Sequence, residues 1–242
     1  KNTDTSTKQV TRSSLTALLE HLTKTVASLQ WRPSGTEWGD YYETHSYSQK
    51  SFEQKKEIVS KVVAESQPKL VWDLGANTGV FAEIAAAAGA LAVAWDIDPA
   101  AVEANFQRCR AESFERILPL RLDLTNPSPG LGWAHRERMS LSRRGPVDLV
   151  LALALVHHLA ISNNLPLPMI AGWLAEIARD VVIEFVPKDD PQTQRLLVSR
   201  EDIFDSYNEE SFTRCCEQHF SIVNRFAVAD SNRVIFQLRR RS

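Results

Sequence analysis

The chain predicts an α/β domain built on an open, doubly wound and mostly parallel sheet, preceded by a helical appendage. Three observations carry that reading. Short apolar runs alternate with helix-length stretches from Leu70 onward, as in repeated βα units. Residues 147–156 form an apolar run after Pro146, as expected of a strand covered on both faces. Residues 70–81 join a short apolar strand to an Ala-rich helix through a turn bracketed by Gly75 and Gly79. Asp73 stands at the carboxyl end of that strand.

Taken in order, residues 1–14 are polar. Leu15, Leu18, Leu19, Leu22, Val26 and Leu29 then recur at near-helical spacing, with Ser13 or Ser14 as candidate caps. Residues 31–48 are turn-rich and hold Trp31, Trp38, Tyr41, Tyr42 and Tyr47. These aromatics either line a ligand pocket or pin the first helix to the core. Residues 52–65 read as a helix with Ile58, Val59, Val62 and Val63 on one face, which places the domain boundary at 66/67. Residues 91–95 form a second strand ending at Asp96, with Ile97 behind it. Asp98 and Pro99 open the next helix as cap and first residue. Residues 117–122 are a third strand ending in Asp123 and Leu124. Residues 127–145 read as a loop with one helical turn within 133–141, carrying Arg136, Arg138, Arg143 and Arg144. The fourth strand, through Ala154, runs into His157 and His158, with Asn163 and Asn164 beyond. A helix over 165–178 and a fifth strand over 181–186 follow, the latter interrupted by Glu184. Residues 199–220 read as helical, and 222–228 and 234–238 as a closing hairpin.

Composition sets limits. The 242 residues include 43% hydrophobic ones, enough for one substantial core. A net charge of −2 gives no global case for nucleic acid or an anionic membrane. Cys109, Cys215 and Cys216 show no metal-ligand spacing, and an odd count argues against a disulfide framework. No apolar run approaches the roughly 18 residues that span a bilayer. A cytoplasmic chain without a metal is the resulting expectation. The chain does not begin with Met, which suits a fragment of a longer protein.

The glycine turn narrows the ligand. A dinucleotide fingerprint needs G-x-G-x-x-G, but Asn77 occupies the middle position and the spacing is G-x-x-x-G. The phosphate loop also fails, because Val80 and Phe81 follow Gly79. An acid just ahead of the turn suits a cationic ligand better than a pyrophosphate. With Asp73, Gly75 and Gly79 in place, the stretch resembles the first motif of the class I S-adenosylmethionine (SAM) dependent methyltransferases. Residues 73–79, 122–129, 153–165 and 183–189 are further similar to a narrower group, bacterial nodulation-protein-like methyltransferases. In that group such a domain follows a longer amino-terminal region.

The resemblance implies a Rossmann-like, seven-stranded sheet with a carboxyl-terminal antiparallel strand. It also implies SAM as cofactor. Asp73, Gly75, Ala76, Asn77 and Gly79 would form its turn, Asp96 would hold the ribose hydroxyls and Ile97 would lie beside it. Asp123 would accept from the adenine amine, Leu124 would flank the ring, and Ala154 would line the methyl side. An acid about 20 residues past a glycine turn is also what ribose binding requires on independent grounds.

Imidazole suits proton transfer near neutral pH, so His157 or His158 is a candidate general base; the alternative is that one packs beneath the sheet edge. Glu184 is costly to bury unpaired. It is a candidate catalytic acid or a partner for a neighbouring histidine, with Lys188 as its counter-charge or as a substrate contact. The expected reaction is methyl transfer to a small-molecule or carrier-bound acceptor. An RNA or protein acceptor met by the arginines of 136–144, or a scaffold without turnover, are the alternatives.

Overall fold

The computed structural model describes residues 10–29, 31, 48–198 and 200–241. Chain contacts divide it into two units, 1–34 and 35–242. The first holds helix α1 (Arg12–Ser28), whose amino terminus is capped by Thr11, one turn earlier than the candidate serines, through the Ser14 N–H. Apart from Trp31, the aromatic lid segment lies outside the described residues.

In the second unit, Ser48 caps helix α2 (Gln49–Ser66) by accepting from the Ser51 N–H. Ile58, Val59, Val62 and Val63 recur at three- and four-residue spacing and are buried. The helix is therefore part of the larger unit, and the expected boundary at 66/67 does not coincide with the contact boundary at 34/35.

Seven strands follow: β1 (Leu70–Leu74), β2 (Leu91–Asp96), β3 (Ile117–Arg121), β4 (Val147–Ala152), β5 (Ala178–Phe185), β6 (Phe220–Ala227) and β7 (Val234–Arg240). They form one sheet in the order β3-β2-β1-β4-β5-β7-β6. Pairing is parallel through β5, and β7 runs antiparallel between β5 and β6.

Strand β4 explains its own composition. Leu149 and Leu151 face one cluster, with Val71, Ala92 and α2. Val150 and Ala152 face the other, with Trp72 and the helices on the opposite side. Each large aliphatic residue buried this way contributes about 1.5–3 kcal/mol. The one acid in the run, Asp148, accepts from the N–H groups of Lys69 and Leu70 at 2.8 and 3.1 Å and ties β4 to the start of β1.

Helices α3 (Val80–Ala87) and α4 (Pro99–Ala111) connect the first strands, with Asp98 capping α4 as expected. The crossover from β3 to β4 has no α-helix; two single 3-10 turns, Trp133–His135 and Ser142–Arg144, interrupt an irregular path. Helix α5 (Leu167–Ile177) passes directly into β5, so β5 begins three residues earlier than the apolar pattern suggested. Residues 199–220 are not one helix: α6 (Pro191–Leu197) precedes them and α7 (Glu209–Glu217) begins at its Asn208 cap. No helix among the described residues is long and apolar enough to cross a membrane.

Candidate cofactor and active site

The strand order reverses direction between β1 and β4, the position where open α/β sheets carry a ligand crevice at the carboxyl ends of their strands. A cleft of about 310 Å3 opens there. Asp73, Gly75, Ala76 and Asn77 line it from β1, and Asp96 and Ile97 from β2. Asp123 and Leu124 line it after β3, and Ala154 and His158 after β4. Gly79, His157 and Glu184 do not line it.

The glycine turn is pulled onto β2. The N–H groups of Gly75 and Ala76 both donate to the Trp95 carbonyl at 2.9 Å. Gly75 and Gly79 have φ of 73° and 82°, where L side chains are strained. The need for glycine at 79 comes from packing: a Cβ there would meet the Asn105 amide at 2.4 Å. A Cβ at Gly75 would meet Leu155 Cδ1 at 3.3 Å, across the cleft turn that follows β4.

Asp96 ends β2 with its oxygens held by two backbone donors, Asn77 N–H at 2.7 Å and Asp98 N–H at 2.8 Å. Burial raises its pKa and those two bonds pull it back. Asp73 is buried, and its Oδ2 has no hydrogen-bond partner among the described residues. Burial pushes its pKa up to about 7, opposed by a bond from the Ala82 backbone; Asp96 adds to the rise and Lys55 counters it. An unsatisfied carboxylate oxygen inside a cleft is a prepared acceptor for a cationic donor. Asp123 Oδ1 accepts from both the hydroxyl and the N–H of Thr125, at 2.7 and 2.8 Å, which lowers its pKa.

After β4 the chain turns through Ala154 in the left-handed region, φ 50°. His157 follows, then a single π turn, His158–Ser162. The two imidazole rings lie 4.0 Å apart. His157 is 1% exposed, and its Nδ1 is buried without a partner among the described residues. Burial, then His158, hold its pKa well below the usual value. His158 is half-buried and its pKa falls to about 4, through burial and the Arg233 charge. Both rings are therefore neutral at neutral pH, and His158 is the one that meets the cleft. Asn163 also lines it, donating from Nδ2 to the His158 carbonyl. Asn164 is held outside it by Arg200 at 3.2 Å.

Glu184 is wholly buried behind this turn. Its Oε2 accepts from Lys55 Nζ at 2.7 Å and from the Ala154 N–H at 2.8 Å. Arg233 Nη1 stands 3.8 Å from Oε1, and Arg233 makes a two-point pair with Asp190 at 2.7 and 2.9 Å. The expected partner Lys188 instead pairs with Asp202 at 2.8 Å. Glu184 is thus a structural anion rather than a group that reaches substrate.

Sequence reasoning missed Lys55, which lines the cleft, and Arg233. Lys55 had a signal: it precedes Val59 and Val62 on the buried stripe of α2, where a lysine needs a buried partner. Arg136, Arg138, Arg143 and Arg144 do not line the cleft.

Among solved structures the chain is similar to magnesium protoporphyrin IX methyltransferase from Synechocystis PCC 6803 with bound S-adenosylhomocysteine (SAH). That match has 17% identity and a TM-score of 0.56, over 92% of this chain and 95% of that one. The N-methyltransferase NodS from Bradyrhizobium japonicum WM9 matches at 12% identity and a TM-score of 0.58, over 81% and 99%. A SAM-dependent methyltransferase from Aquifex aeolicus matches at 16% and 0.52, over 74% and 88%.

The fold is that of the class I methyltransferases.

No family model matches this methyltransferase-fold chain. Over 204 residues it is 41% identical to nodulation protein NoeA of Rhizobium meliloti strain 1021, covering 84% of this chain. It spans 43% of the length of that relative.

Proposed function

We propose that the chain is a SAM-dependent methyltransferase domain acting on a small-molecule or carrier-bound acceptor. The observation that carries this is Asp73: a buried carboxylate oxygen without a partner among the described residues, in the same cleft as a strand-end acid and a glycine turn. Asp73 and Lys55 both line the cleft, an acidic and a basic side chain of the kind that suits a zwitterionic amino acid. In this reading Asp96 holds the ribose hydroxyls, Asp123 accepts from the exocyclic amine, and Leu122, Leu124 and Ile97, which line the same cleft, flank the purine. When bound, SAM supplies an activated methyl group. The chain's own residues then orient the acceptor and exclude water.

His158 is the base in this reading for a hydroxyl acceptor. Neutral at neutral pH, it can take a proton on a ring nitrogen, although its depressed pKa makes it a weak base. An amine acceptor needs only orientation by the same wall. Titration calorimetry of SAM and SAH into the chain, with NAD as control, tests the reading. Micromolar binding of the first two and none of NAD is expected; absence of SAM and SAH binding overturns it.

A further inference from the structure

We infer that Glu184 is a positioning residue that locks the turn after β4 in the conformation that forms one wall of the cleft. The inference rests on the cofactor reading above and assigns Glu184 a role within it.

Ala154 carries the turn at φ 50°, a conformation that strains a non-glycine residue. Something must hold it there. Its N–H donates to Glu184 Oε2 at 2.8 Å, a charge-assisted bond inside the protein. The carboxylate is itself fixed from two other elements, by Lys55 on α2 at 2.7 Å and by Arg233 ahead of β7. Arg233 is in turn clamped by Asp190, the cap of α6. The turn is thus pinned to a carboxylate that cannot follow it outward.

The consequence reaches the cleft directly. Ala154 and Leu155 are both cleft walls, and Leu155 lies against the glycine turn at Gly75. His158 follows one turn later and donates its N–H to the Leu155 carbonyl at 3.0 Å. Release of the Ala154 N–H would let residues 154–158 relax toward ordinary backbone angles, moving Leu155 off Gly75 and His158 out of the cleft.

SAH affinity of Glu184 variants tests this. Glu184→Leu removes the acceptor and should weaken SAH about tenfold. Glu184→Gln keeps an acceptor oxygen for the Ala154 N–H and should stay within about threefold of wild type. Adding Ala154→Gly to Glu184→Leu makes the left-handed turn intrinsically accessible, and should restore most of the affinity without restoring thermal stability. Unchanged affinity in Glu184→Leu, an equal loss in Glu184→Gln, or no recovery with glycine overturns the assignment. If Glu184→Leu does not fold, Glu184→Asp serves: the charge stays but falls one methylene short, and the same loss and glycine rescue are expected. Wild-type chain that fails to bind SAH defeats the cofactor reading instead. The lock is then read from exchange of the Ala154 amide, slow in wild type and at least tenfold faster in Glu184→Asp; equal rates overturn it.

Discussion

The two halves of the sheet meet the cleft by different means. Strands β1 to β3 meet it with a glycine turn in the left-handed region, N–H groups turned onto the Trp95 carbonyl, and acids at strand ends. Every group there comes from within 51 residues of its partners, from Asp73 to Asp123. Strands β4, β5 and β7 instead rest on a buried ion network whose members stand at 55, 184, 190 and 233. The first half shapes its side of the cleft through local geometry; the second is shaped by charges brought together only by the complete fold.

Breaking the network should have the larger effect on stability. Lys55→Met leaves Glu184 buried without its closest cation and should cost about 3–5 kcal/mol in urea unfolding; pairing it with Glu184→Met should recover much of that loss. If Lys55→Met alone is neutral, the long-range half is not organised by charge. His158→Ala should lower turnover about a hundredfold with SAH affinity unchanged. Equal turnover would remove the base and leave the wall with an orienting role only.

On the local side, Asp96→Ala should weaken SAM about tenfold, or about 1.4 kcal/mol, with the fold intact by circular dichroism. Affinity within twofold of wild type would take Asp96 out of the site. The smallest effect is a pH dependence from Asp73. A bound ammonium group favours the ionised carboxylate, and the free protein holds its proton below about pH 7. Binding below that pH must expel a proton, so affinity falls as pH falls. About a threefold weaker SAM affinity at pH 6.5 than at 7.5 is expected, and Asp73→Asn should flatten the profile.

The contrast also separates what was legible in the sequence from what was not. That Asp73, Gly75, Asp96 and Asp123 line one cleft could be read because each lies at or just past the end of a strand whose apolar pattern marks where it stops. The whole strand content could be read for the same reason. The role of Glu184 could not: an acid inside an apolar strand announces a buried charge but not its partner, and the nearest lysine in sequence, Lys188, turned to Asp202. Lys55 lies 129 residues from Glu184, beyond the reach of any local pattern. The same limit applies to 199–208. They read as helical in the sequence, while the Asp190 and Asn208 caps set the actual helix starts at Pro191 and Glu209. Between His157 and His158, sequence adjacency gave no preference; burial of the first and cleft exposure of the second did.

Helix α2 precedes the first strand and looks detachable, yet its Lys55 is both a wall of the cleft and the counter-ion of an acid in the middle of the sheet. The domain is therefore not modular at that joint. A fragment beginning at residue 67 would keep all seven strands with Gly75 and Gly79, and would bury Glu184 without its lysine. Recombination, fusion or evolutionary shuffling at that point would have to carry α2 along or replace Glu184 in the same step.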